Sequence, residues 1–152
     1  MNSIIRLVAV VAGLVLLLNI TPSWGQPVCV APGCNPTVSG SGSNTAGGTN
    51  ALKTVGTGIN NTAFGFGALQ LDTIGGNNTG IGWQALVSNT SGSSNTATGS
   101  GALLVNTTGI NNTATGGFAL QSNTTGNNNT ASGVEALLLN TTGSHNSALG
   151  HK

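Results

Sequence analysis

The sequence predicts an all-β parallel solenoid of about six 17-residue coils, and three observations carry that prediction. Asn recurs at Asn44, Asn61, Asn78, Asn95, Asn112, Asn129 and Asn146, always 17 residues apart and without insertion. Gly follows four residues after each, and the pair Ala-Leu recurs at the same interval, with its leucines at Leu52, Leu69, Leu86, Leu103, Leu120 and Leu137. Composition is the third observation. With the first 25 residues set aside, 73 of the remaining 127 are Gly, Thr, Asn or Ser, which cannot fill an ordinary globular core. A disordered polar tract has no reason to hold one register from Asn44 to Gly150. A solenoid must, because each coil packs only on its neighbours.

The elements follow in chain order. Residues 1–25 read as a secretory signal peptide: Arg6 lies in a short basic region, an apolar run extends from Leu7 to Leu18, Pro22 breaks it, and Ser23 and Gly25 flank Trp24. The apolar run is shorter than the ~20 residues a membrane span requires, so no span is expected in the mature chain. Residues 26–43 begin with Cys29 and Cys34 on either side of Pro32-Gly33, a favoured central pair of a type II turn. In an exported chain a disulfide is the natural reading of that pair. Its short loop makes it a local clasp, worth about 2 kcal/mol. The Pro/Gly/Ser-rich stretch from Asn35 to Ser43 is a linker, and residues 44–152 form the repeat domain.

Each repeat conforms to N-T-A-x-G-x-x-A-L-x-x-N-T-T-G-x-N. A unit so rich in Gly, Asn and Thr cannot hold two helices, which leaves short strands joined by tight turns. The first strand is expected at Thr-Ala-x-Gly, with Ala and Gly on one face of a narrow interior. The residue after that Ala is Gly47, Phe64, Ile81, Thr98, Thr115, Ser132 and Leu149 in successive units, a variability that marks an outer or intersubunit surface. A second strand is expected to begin at Ala-Leu, its leucines stacking into a hydrophobic spine at about 1.5–3 kcal/mol each. Two residues further on, Thr54, Leu71, Ser88, Val105, Ser122 and Leu139 alternate between polar and apolar. The first Asn of each unit is placed to hydrogen-bond to its own copies along the axis as a ladder. Asn-Thr-Thr-Gly, as at Asn106 to Gly109 and Asn123 to Gly126, makes the return turn.

These repeats resemble the head repeats of YadA-like trimeric autotransporter adhesins, whose units carry a motif close to N-S-V-A-I-G. Asn60-Asn61-Thr62-Ala63-Phe64-Gly65 and Asn77-Asn78-Thr79-Gly80-Ile81-Gly82 come closest. Phe66 and Trp83 occupy the position after the Gly, as in related 17-residue repeats of tail and surface fibres. The resemblance covers residues 44 to 152. It implies a left-handed β-roll, a homotrimer, display on or beyond a bacterial cell surface, and a host, matrix or environmental surface as partner. No heptad stalk or membrane barrel follows the repeats, so a free secreted module, a fragment or a subunit held by another component is expected rather than a whole autotransporter.

Charge narrows the function classes. The only formal charges are Arg6, Lys53, Lys152, Asp72 and Glu135, and the chain beyond residue 25 is net neutral. Binding to nucleic acid, which needs several Lys or Arg to neutralise phosphates, is not expected. Catalysis, metal sites and cofactors are not expected either. Asp72 and Glu135 fall nearly four coils apart, too far for a carboxylate pair, and the Gly spacing serves coil turns rather than a phosphate loop. His145 takes a turn position held elsewhere by Asn60, Asn77, Asn111 and Asn128. One further pattern supports an alternative function. Thr96-x-Thr98, Thr113-x-Thr115 and Thr130-x-Ser132 set paired hydroxyls on one strand face in three consecutive coils. Such pairs lie about 6.8 Å apart along the strand and about 4.8 Å between coils, a flat grid of the kind that resembles ice-binding solenoids.

Overall fold

The computed structural model describes residues 7–11, 14–18, 42–54 and 56–151. Cys29 and Cys34, and with them the expected clasp, lie outside the described residues. Within the expected leader, strands β1 (Leu7–Val11) and β2 (Leu14–Leu18) pair antiparallel. Among the described residues no helix is long and apolar enough to cross a membrane.

From Thr45 onward the chain is a β-solenoid. Seven three-residue strands, β3 (Thr45–Gly47), β4 (Thr62–Phe64), β5 (Thr79–Ile81), β6 (Thr96–Thr98), β7 (Thr113–Thr115), β8 (Thr130–Ser132) and β9 (Ser147–Leu149), form one parallel sheet in sequence order. Every pair is offset by 17 residues: Thr62 faces Thr79, which faces Thr96, which faces Thr113. Seven strands enclose about six coils, so at ~4.8 Å per step the sheet is close to 30 Å long. Strand alternation turns the central Ala inward and its two neighbours outward. Ala63, Ala97, Ala114 and Ala131 are fully buried, whereas Thr96, Thr98, Thr113 and Thr115 are exposed.

The Ala-Leu segment corrects one expectation: it is a turn rather than a second strand. All six leucines have positive φ, from 45° at Leu52 to 54° at Leu86, and so does the residue two places before each, such as Asn50 (60°) and Phe118 (58°). The chain bends twice around a buried Ala, yet its backbone still pairs with the neighbouring coils. The Leu52 amide donates to the Ala68 carbonyl at 3.0 Å, and the Gly67 amide to the Thr49 carbonyl at 2.9 Å. A left-handed conformation costs an L-residue about 1–2 kcal/mol. Burial offsets it here: Leu52, Leu69, Leu86, Leu103 and Leu120 are sealed from solvent between two columns of Ala, and Leu137 packs partly buried at the end of the row.

That geometry makes the Leu column selective for shape. Leu103→Ala should lower stability by about 2–5 kcal/mol through the cavity it leaves. Leu103→Ile keeps the volume, but β-branched side chains are poorly tolerated at φ near +51°, so its cost should exceed the roughly 1.5 kcal/mol ceiling of an ordinary volume-conserving exchange. Urea midpoints of the two variants test this, and an Ile variant as stable as the parent would contradict the left-handed Leu.

The alternation at Thr54, Leu71, Ser88, Val105, Ser122 and Leu139 has a simple cause. These side chains lie outside the core, half-buried or exposed, with Leu71 at 44% and Leu139 at 71% exposure, so no like-on-like stacking is demanded of them. Glycine is demanded four residues after each ladder Asn. Gly82 and Gly99 have φ of 132° and 135°, and a Cβ there would stand 2.5 Å from the carbonyl oxygen of the same glycine in the next coil.

Candidate functional site

The first Asn column is a continuous hydrogen-bonded ladder running the length of the repeat domain. The Oδ1 of Asn78 accepts from the backbone N–H of Asn95 at 3.0 Å and from its Nδ2 at 3.2 Å. The Nδ2 of Asn95 also donates to the Gly109 carbonyl at 2.8 Å. The same set links Asn95 to Asn112, Asn112 to Asn129 and Asn129 to Asn146, and the backbone bond alone continues it from Asn44 through Asn61 to Asn78. An Asn buried without partners would cost several kcal/mol. Here both ends of the amide are used, which is why the side chains of Asn61, Asn78, Asn95, Asn112 and Asn129 can sit at full burial.

A second ladder stands where sequence analysis placed only a return turn. Asn89 donates to Asp72 at 3.1 Å, Asn106 to Asn89 at 2.8 Å, Asn123 to Asn106 at 3.0 Å and Asn140 to Asn123 at 2.9 Å. Each of these Asn amides also closes its own turn onto the carbonyl of the Gly three residues on. Beside it runs a row of threonine hydroxyls, Thr73, Thr90, Thr107 and Thr124, each donating to the carbonyl of the matching Thr one coil later. The signal for this ladder was present in the 17-residue recurrence of Asn89, Asn106, Asn123 and Asn140.

Asp72 holds the position of an Asn in that second ladder, and its chemistry differs accordingly. Its Oδ1 accepts from Asn89, but the buried Oδ2 has no hydrogen-bond partner. Burial pushes the carboxyl up to about 7, against the opposing effect of hydrogen bonds from Asn89, the Gly75 backbone and Asn78. Glu135 lies on another part of the coil and does not meet it. His145 occupies the left-handed turn position with φ 62°, its Nε2 3.4 Å from Asn128 Nδ2. Among the described residues no group of three or more His, Cys, Asp or Glu could hold a metal ion.

What the solenoid turns outward is therefore the candidate site. On β6, β7 and β8, Thr96, Thr113 and Thr130 stand in one row and Thr98, Thr115 and Ser132 in the next, with five of the six exposed and Ser132 half-buried. Toward the other end of the sheet the same outer positions become apolar. Phe64 and Ile81 face each other across β4 and β5, and Phe66 and Trp83 follow two residues later in the same coils, all of them 42–48% exposed. Comparison of the chain with protein-family models, with curated proteins and with solved structures returns no match.

Proposed function

We propose that the chain is a secreted or cell-surface attachment module of the adhesin-head type, in which a rigid solenoid presents rows of uncharged side chains to a host, matrix or environmental surface. The observation that carries this reading is the outer face of the seven-stranded sheet. Its side chains are held in register by two buried Asn ladders, carry no charge, and include large apolar groups that the core does not use. A row of similar contacts at a fixed spacing suits multivalent attachment, where each contact is weak and the row is not. Assembly as a homotrimer belongs to the same reading.

Two measurements test it together. Size-exclusion chromatography with light scattering should return a stable trimer, and the purified protein should be retained on cells, glycan arrays or matrix-coated surfaces. A monomer removes the trimeric-head version, and broad failure to bind leaves only fibre building.

The hydroxyl grid favours a second reading, ice binding, because Thr96, Thr98, Thr113, Thr115 and Thr130 are exposed on the outer face of the sheet in strict register. On that reading the protein inhibits ice recrystallisation, and Thr113→Leu at the centre of the grid weakens the inhibition. Absence of any effect on ice growth disposes of it.

A further inference from the structure

We infer that Phe64, Phe66, Ile81 and Trp83 form a stacking platform for an uncharged polysaccharide; this rests on the attachment reading and names its ligand class. The four side chains belong to two consecutive coils whose backbones are tied together directly beneath them. The Gly82 amide donates to the Phe64 carbonyl and the Gln84 amide to the Phe66 carbonyl, each at 2.8 Å. The platform is therefore set by the solenoid and not by a loop.

Phe64 shows how one of these rings is seated. A Cβ added at Gly47 would lie 2.5 Å from its Cδ1 and 2.6 Å from its Cε1, so the ring rests on the bare backbone of the preceding coil while the side chain stays 46% exposed. Phe118 repeats the arrangement over Gly101, with its Cδ1 at 2.6 Å from the corresponding point. A ring lying on backbone keeps a face toward solvent at little cost in side-chain entropy, which is the presentation that stacking onto a flat apolar ligand face needs.

Charge and size select the occupant. Asp72 is buried, Glu135 lies more than two coils beyond Trp83, and Lys53 sits past the Leu52 turn of an earlier coil. None of the four platform residues is charged, so a sulfated, phosphorylated or carboxylated ligand stacked on them would lose its hydration without a charged partner among them. Thr62 and Thr79 lie on the same outer face of β4 and β5, Thr98 and Ser100 hold the matching positions one coil on, and Gln84 adjoins Trp83. Aromatic faces bordered by neutral hydroxyls and an amide match a pyranose, with its apolar C–H face and peripheral hydroxyls. A second copy of the chain fits less well. Four half-exposed side chains offer about 400 Å², roughly half of what each partner of a stable protein interface contributes, yet within the range of functional surface patches.

The test is a depletion assay of the full-length protein on insoluble cellulose and chitin, with heparin beads and phosphatidylcholine vesicles as charged and lipid comparisons. Trp83→Ala, Phe66→Ala and Leu139→Ala are run beside the parent. All three sites are exposed, and circular dichroism verifies their folds. Expected is retention of the parent on at least one neutral polysaccharide, loss of about tenfold or more in affinity for Trp83→Ala and Phe66→Ala, and no change for Leu139→Ala. Equal retention of Trp83→Ala, retention on heparin or vesicles alone, or self-association that Trp83→Ala abolishes without polysaccharide binding each overturns the platform. If the parent and Trp83→Ala are retained alike on cells or matrix, the platform fails and the attachment reading stands. If the parent is retained on no surface, both fail.

Discussion

Removing residues 95–111, one whole unit, is expected to leave a folded solenoid one coil shorter. Ser94 then runs directly into Asn112, whose backbone amide meets Asn78 Oδ1 as that of Asn95 does now at 3.0 Å. Leu120 likewise takes the place of Leu103 beside Leu86, so stability falls by about one repeat-plus-interface contribution and the unfolding transition stays cooperative. Removing residues 95–102 is expected to do far more damage. Leu103 would then arrive in the ladder position of Asn95, and Asn112 in the outward position ten residues into a coil. The Oδ1 of Asn78 loses both its donors inside a buried column, and the backbone groups on either side lose their partners in the next coil. Far-ultraviolet circular dichroism and urea midpoints compare the two deletions. The eight-residue deletion should have a much lower midpoint or no cooperative transition. Similar behaviour of the two would show that 17 residues is not the stacking unit.

The second large effect is a dependence on pH that comes from a single side chain. With Asp72 raised to about 7 in the folded protein and near the ordinary carboxylate value when unfolded, the folded state holds a proton that the unfolded state has released. Its contribution to stability is thus fully present below about pH 4, declines as pH rises through the window up to about 7, and is constant above it. The decline amounts to about 4 kcal/mol. Asp72→Asn should remove it. An Asn there can accept from Asn89 as Asp72 does and donate to the Gly75 carbonyl, as Asn89 donates to Gly92 at 2.9 Å. The variant should be more stable than the parent at pH 8 and nearly indistinguishable from it at pH 4. Denaturant titrations at the two pH values measure both, and a parent equally stable at each would show that the carboxyl is not held neutral by the fold.

How much of this was legible in the sequence depended on whether a residue type has one structural meaning. A run of Asn at 17-residue spacing, from Asn44 to Asn146, has few explanations other than coils stacked in register, and Gly82 or Gly99 tolerates no substitute on steric grounds. Thr-Ala-Thr at residues 96–98 reads as a strand because β-branched residues flank a small one, and a strand is what forms. Leu103 misleads because Leu rarely adopts positive φ. Its apolar character announces burial correctly but says nothing of the left-handed turn that achieves it. The second ladder was hidden by the usual preference of Asn for turns, which is satisfied here at the same time: Asn106 closes its turn onto Gly109 and reaches Asn89 with the same Nδ2. The apolar residues at Phe64 and Trp83 are visible in the sequence as an irregularity in otherwise polar columns, but only the register of the coils sets Phe64 beside Ile81 and the Phe66 backbone against that of Gln84.

Because a side chain at Gly82 or Gly99 would strike the backbone of the next coil, and because the first Asn column and the Leu column admit no other residue type in any coil, substitution in this chain falls mostly on positions that face out, with Asp72 and Gly80 as buried exceptions. Gly47, Phe64, Ile81, Thr98, Ser132 and Leu149 already differ freely along one such column within a single molecule, with no change of register. The stacking allows a change of length only in whole coils, while the displayed surface can change residue by residue. The two are independent. A lineage built on this architecture can therefore rewrite what it touches one coil at a time, or lengthen its reach by duplicating a unit, while the parts that hold the coils together stay the same.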